Sequence, residues 1–179
     1  PSTAAVPKPL GLFDLRGHAA VITGASGAYG RMLAVGLAEL GCDLLLASGS
    51  AEGLQETAAE AMAGRALALD PKNIEVRFAL GFLRRIQMRF DEAIAELSAV
   101  LRENPNNAGA HNEMGWALGF SGRDREAIAH FEESIRRNPR DPMLFLGYFG
   151  IGYVRYEMSD LDAAIAALRH AISLNPQFS

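Results

Sequence analysis

The residues best suited to chemistry lie in "TGASGAYG", Thr23 to Gly30. Glycines let a backbone come close to a bound group, and the free N–H groups at a helix start attract an anion such as a phosphate. The other reactive side chains are scattered. The four histidines (His18, His111, His130, His170) and the single cysteine, Cys42, show no metal-ligand spacing, so no metal site is expected.

The elements that must hold the glycine turn can be read around it. Ala19–Thr23 is a short apolar run ending in a turn, as a buried parallel strand would be. Met32, Leu33, Gly36, Leu37 and Leu40 mark one face of a helix, Gly41 stops it, and Leu44–Ala47 is a second buried strand. Two parallel strands joined by a helix make a βαβ unit.

With those elements in place, "LFDLRGHAAVITGASGAYG" resembles the start of the short-chain dehydrogenases/reductases. The resemblance implies a Rossmann-like segment binding NAD or NADP, with Thr23, Gly24 and Gly30 matching the family's turn. Ala28 replaces the middle glycine and adds a Cβ where backbone should meet phosphate, and Gly27 sits one place early. Asp70 stands where an adenine-contacting aspartate is usual, whereas Gly49 takes the place of an arginine for a 2′-phosphate. The family's Tyr-x-x-x-Lys pair is missing: only Lys8 and Lys72 exist, and neither follows a tyrosine by four. The general acid of that reaction therefore has no candidate. "NNAG", Asn106–Gly109, matches another motif of the family but follows "LSAVLRENP" rather than a strand.

The rest of the chain repeats itself. "FDEAIAEL" from Phe90, "DREAIAHF" from Asp124 and "LDAAIAAL" from Leu161 are each followed by Asn-Pro, at Asn104, Asn138 and Asn175. An apolar residue followed by glycine precedes each, at Gly81, Gly115 and Gly152. These features step by 34 residues and then by 37, which places the three extra residues near "RDPML". This pattern resembles the tetratricopeptide repeat, a helix–turn–helix unit of period 34. The matched glycines are where paired helices approach closely. Ala93, Ala127 and Ala164 are the small facing residues, and Leu97, Phe131 and Leu168, four further on, fill the core. Asp91 and Asp124 are expected as helix N-caps. The large aromatic common early in the unit's first helix is replaced by Arg77 and His111.

"GRALALDPKN", Gly64–Asn73, could close a third strand or end a solenoid helix. We read Gly53–Leu69 as helix, because Asp70-Pro71 lies one period before Asn104-Pro105. Ala59, Ala63 and Ala66 would then be its packing positions against the following helix. The expected fold is mostly α: a tetratricopeptide-type α-solenoid of helical hairpins with a partial Rossmann-like βαβ segment at the N-terminus. Residues 1–52 form the truncated reductase-like segment and 53–179 the array. The array comprises a partial unit at 53–73 and full units at 74–107, 108–141 and 145–178.

In this repeat family the first helix of each pair lines a concave groove. Helical spacing places Phe78, Phe82 and Arg85 there from the first unit, Asn112, Trp116 and Phe120 from the second, and Phe149, Tyr153 and Tyr156 from the third. Such an aromatic groove would bury a peptide or helix; the same stripe could instead be packed within the array. The last unit has no further helix after it in the 179 residues, which leaves a face open to a partner or a second copy.

Composition narrows the classes. A net charge of −4 gives no electrostatic reason to expect nucleic acid or an anionic membrane. One cysteine suits a reducing, cytoplasmic setting. The opening "PSTAAVPKPL" lacks the apolar segment of a signal peptide, and the run Met32–Ala47 is too interrupted to span a bilayer. The expected function is a protein–protein interaction module with no catalysis and no cofactor of its own. The alternative is an NAD(P)-binding reductase remnant completed by a partner, and a junction of two parents at "ALALD" is a third reading.

Overall fold

A computed structural model describes residues 14–177 of the chain. The opening stretch through Phe13, with Lys8, and Phe178 at the end of the last unit lie outside the described residues. Two compact units divide between Val76 and Arg77.

In the first unit the order is β1 (Ala19–Thr23), α1 (Ala28–Glu39), β2 (Asp43–Ala47) and α2 (Ala51–Leu69). β1 and β2 pair in parallel, with Val21 opposite Leu45 and Thr23 opposite Ala47. The expectation of two buried strands is corrected: helices cover one face only. Ile22 is buried beside Leu44 and Leu46, while Val21 and Leu45 on the other face are 67% and 65% exposed. The face assigned to α1 is also corrected. Met32 and Leu33 point outward, and the buried stripe is Gly30, Ala34 and Ala38, at spacings of four. Small residues win that face because the Gly24–Ala25 backbone lies against Gly30 and because Ala34 and Ala38 cluster with Ile22 of β1 and Ala61 of α2, which runs close beside α1. A Cβ on Gly64 would stand 3.3 Å from Val35 and 3.2 Å from Glu39.

Gly64–Leu69 is helical, as read from the repeat period. The packing positions are not those expected. Ala59 is exposed, and the buried residues of α2 are Thr57, Glu60, Ala61 and Gly64. The buried Thr57 hydroxyl is satisfied by the carbonyls of Ala25 and Gly53 at 2.9 and 2.8 Å. Ser50 caps the helix by accepting from the Gly53 N–H.

The second unit is helical. α3 (Ile74–Ile86) precedes α4 (Phe90–Glu103), α5 (Ala108–Phe120), α6 (Asp124–Arg137), α7 (Leu144–Glu157) and α8 (Leu161–Leu174). Within the pairs, the glycine positions do what the sequence required. A Cβ on Gly81 would lie 2.7 Å from Leu97 Cγ, one on Gly115 2.7 Å from Phe131 Cε1, and one on Gly152 2.6 Å from Leu168 Cγ. Ala93 and Ala127 are fully buried and Ala164 nearly so. Leu97, Val100, Met114, Leu118, Phe131 and Val154 form the continuous core. Full burial of a ring such as Phe131 contributes about 1.5–3 kcal/mol.

The helix ends follow local chemistry. Asp70, Asn104, Asn138 and Asn175 share one backbone conformation, φ −134° to −140° with ψ 73° to 91°. Each precedes a proline, which disfavours helical geometry before it. Asn73 and Asn107 cap α3 and α5 through the N–H groups of Val76 and Ala110. The latter accounts for "NNAG" as a helix start. Asp91 and Asp124 are corrected: both sit inside the first turn, and the cap positions are Arg89 and Arg123, whose guanidiniums grip Glu92 and Glu126. The two acids act there on the helix dipole. The two positions that lack the early aromatic make polar pairs instead. Arg77 bonds Glu96 at 2.7 Å, and one period later His111 meets His130 with 3.0 Å between Nδ1 atoms. No described helix is long and apolar enough to cross a membrane.

Candidate functional site

The face built by α3, α5 and α7 carries most of the expected groove residues, in three groups. At its centre the Trp116 ring lies 5.5 Å from Phe120 (stacked), 5.7 Å from Phe149 and 6.0 Å from Tyr153. Phe120 meets Tyr153 edge-on at 5.5 Å. Trp116 also packs edge-on against the buried Phe131, so its inner side is core while Phe120 stays 42% exposed. Along the aromatic stripe, Trp116, Phe149 and Tyr153 are half-buried, and Phe120 offers open ring surface.

The second group is Phe82, Arg85 and Glu113. The Arg85 guanidinium sits 5.2 Å from the Phe82 ring centre and its Nε donates to Glu113 Oε2 at 2.6 Å. The ion pair ties α3 to α5 and is largely shielded, at 17% and 13% exposure. A partner carboxylate would compete with Glu113 for Arg85, a shielded charge-assisted bond, and would gain little.

The third group is a cleft of about 170 Å³. Phe78 and Asn112 line it, together with Gly109, Asp141, Met143 and Leu146. Tyr156 stands apart. It is 62% exposed and makes no ring contact among the described residues.

Sequence reasoning missed Glu113, the loop before α7, and Phe90, whose ring lies 5.9 Å from Phe120. Glu113 was recoverable from α5 alone, since 109, 112, 113, 116 and 120 share a helix face. The loop had no such signal, because no period governs Asp141 and Met143.

The glycine turn was the other candidate. Gly24 adopts φ +66°, Gly27 precedes α1, and the Gly27 N–H donates to Gly24 O at 3.0 Å. Gly30 has no room for a Cβ, which would collide with the backbone of Gly24 and Ala25. Its glycine is thus accounted for by packing. Ser26 bonds Ser48 across the turn, and Gly53 of α2 lies against the Ser26 side chain. Thr23 is exposed at the end of β1. Asp70 serves as the C-cap of α2, where its carboxylate accepts from the Lys72 N–H. Among the described residues no group of three His, Cys, Asp or Glu could hold a metal.

Comparison with known proteins bears on the repeats. One tetratricopeptide repeat model matches residues 56–108 and 83–142, and a second matches 147–178. The first match begins inside α2. Among solved structures the chain is similar to a crystal structure of MamA, at 20% identity over 82% of this chain and 79% of that one, TM-score 0.60. A MamA from AMB-1 gives 23% identity, 85% and 83% coverage and a TM-score of 0.61. One from MSR-1 gives 22%, 87%, 92% and 0.57. At these identities the likeness is one of fold. The repeat matches cover well over half of the chain, and their period, glycine contacts and Asn-Pro ends agree with its helices: the chain belongs to the tetratricopeptide repeat family.

Proposed function

We propose that this chain is an interaction module without catalysis or cofactor of its own, binding a peptide or helix of a protein partner on the α3–α5–α7 face. The observation that carries the reading is the exposed aromatic surface of Phe82 on α3 and Phe120 on α5, two helices that also contribute Phe78 and Asn112 to a cleft. The Asn112 amide has no partner among the described residues and lines that cleft, offering a donor and an acceptor to a peptide bond. Aromatic rings with a few fixed polar groups suit a segment that is mostly apolar. The exposed apolar side chains of α8, Leu161, Ile165 and Ile172, offer a further surface for a second copy. A single free cysteine, buried, suits a cytoplasmic setting. The test is selection from a random-peptide display library against the full chain, with selected peptides re-measured on Phe120→Ala. Loss of about tenfold or more is expected, and unchanged affinity would defeat the reading.

A second reading assigns a nucleotide pyrophosphate to the start of α1, as in a reductase remnant completed by a partner. It is favoured by one observation, the parallel β1–α1–β2 arrangement with glycine at positive φ in the turn. NADH and NADPH titrations followed by cofactor fluorescence decide it: saturable binding supports it, and none at millimolar cofactor ends it.

A further inference from the structure

We infer that the cleft beside Asn112 takes one cationic side chain, a lysine or an arginine, from the segment bound on this face; the inference rests on the interaction-module reading. Its volume of about 170 Å³ is close to the roughly 150 Å³ of a cavity that holds a benzene molecule, so it suits a single side chain. Phe78, Ile135, Met143 and Leu146 form apolar walls, and Phe78 and Ile135 lie directly against the bare backbone of Gly109 and Gly147.

The charges lining it are all negative. Glu113 and Asp141 are the ionisable residues of the lining, and no lysine, arginine or histidine is among them. Glu113 is already neutralised by Arg85. Asp141 is not. Its Oδ1 accepts from the Met143 N–H at 2.8 Å and its Oδ2 from the Asn138 amide at 3.1 Å, both neutral donors, and it has no basic partner among the described residues. Ser134 is committed elsewhere, donating to the Ala108 carbonyl at 2.8 Å.

An apolar-walled pocket with one uncompensated carboxylate selects an aliphatic stem with a positive head, which covers the walls and delivers its charge to Asp141. A leucine or phenylalanine would strip water from Asp141 without replacing it, and an acidic side chain would meet a like charge.

The peptides selected from the random library provide the probe. Their affinities are measured by fluorescence anisotropy on the wild type and on Asp141→Asn, which retains an oxygen to accept the Met143 N–H. Each is also measured with its lysine or arginine replaced by norleucine, a change that leaves the protein untouched. The expected result is a cation in the recovered sequences, a loss of about tenfold or more from either change, and no further loss when the two are combined. Peptides that bind and respond to Phe120→Ala, yet keep their affinity after the norleucine replacement, overturn this inference and leave the interaction module standing. Failure to recover any peptide defeats both.

Discussion

Gly115 on α5 and Phe131 on α6 are made for each other: a methyl group on Gly115 would stand 2.7 Å from Cε1 of the Phe131 ring. Gly150 on α7 approaches the same ring from the next repeat, more closely still. One fully buried ring thus fills a slot whose two sides are glycines from neighbouring repeats, so the same contact sets both the pairing within a repeat and the stacking between repeats.

Gly115→Ala and Gly150→Ala are each expected to lower stability by about 1–3 kcal/mol, the usual range for overpacking a core. Gly36→Ala is the control. It lies within α1 with nothing within 4 Å of its Cβ position, and is expected to gain about 0.5–1 kcal/mol. Denaturant melts of the three variants check the ranking; stability retained in Gly150→Ala would show that the slot is loose.

The turn between paired helices uses a left-handed residue in each repeat: Met88 at φ 58°, Gly122 at 76° and Ser159 at 61°. A non-glycine residue there is strained by about 1–2 kcal/mol. Met88→Gly is therefore expected to raise stability, by up to about 1 kcal/mol once the entropy of glycine is counted. Met88 is 78% exposed, so little packing is lost. Thermal unfolding checks the sign.

Burial, and next the neighbouring His111, lowers the pKa of His130 below its ordinary 6.5, with Glu126 and Glu133 opposing and Arg123 assisting. His111 Nε2 faces the Pro105 carbonyl at 3.1 Å, which assigns it the proton and leaves Nδ1 to accept from His130. The unfolded chain binds the proton first as pH falls, so stability is full above about 6.5, declines below it, and levels off beneath the folded-state value. An NMR titration should place the His130 midpoint below 6.5, and a stability that rises on acidification through that window would contradict the assignment.

Phe120→Ala should weaken partner binding about tenfold at a modest cost in stability from its contacts with Phe90, Trp116 and Tyr153, whereas Tyr156→Ala, apart from the clustered rings and 62% exposed, should leave both binding and the melting curve nearly unchanged. Trp116→Ala should differ. Its contacts with Phe131 and three further rings make it a structural residue as well, with an expected loss of about 3–5 kcal/mol. Melts run beside binding curves separate the two effects.

Leu161, Ile165 and Ile172 lie along one side of α8 and are 44% to 56% exposed. If that side joins copies, Ile165→Lys lowers the mass measured by light scattering at high concentration and leaves helicity unchanged. A monomer at all concentrations in the wild type would remove self-association from the proposal.

The helices of the second unit were legible because their information is local and repeated. Asn-Pro ends, glycine–apolar pairs and small-to-large spacings of four recur at fixed intervals, and each residue meets the partner that the interval implies, as Gly81 meets Leu97. The groove was legible only by face. Spacing put Trp116 and Phe120 on one side of α5, but whether a ring is buried depends on what another helix sets against it, and Phe131 and Tyr153 supply that. Asp141 and Met143 joined the cleft through a loop whose path no periodicity constrains.

The first unit shows the same division more sharply. Sequence by itself determined that β1, α1, β2 and α2 form, because apolar runs, glycine stops and the proline after Asp70 act within a few residues. Only the tertiary structure decided which faces are used. Met32 and Leu33 are the more hydrophobic side of α1, yet Gly30, Ala34 and Ala38 are buried, because the backbone of the preceding turn meets Gly30 and β1 and α2 close on Ala34 and Ala38, which rewards small residues over large ones. Hydrophobicity specifies what gains from leaving water; the shape of the neighbour specifies what fits.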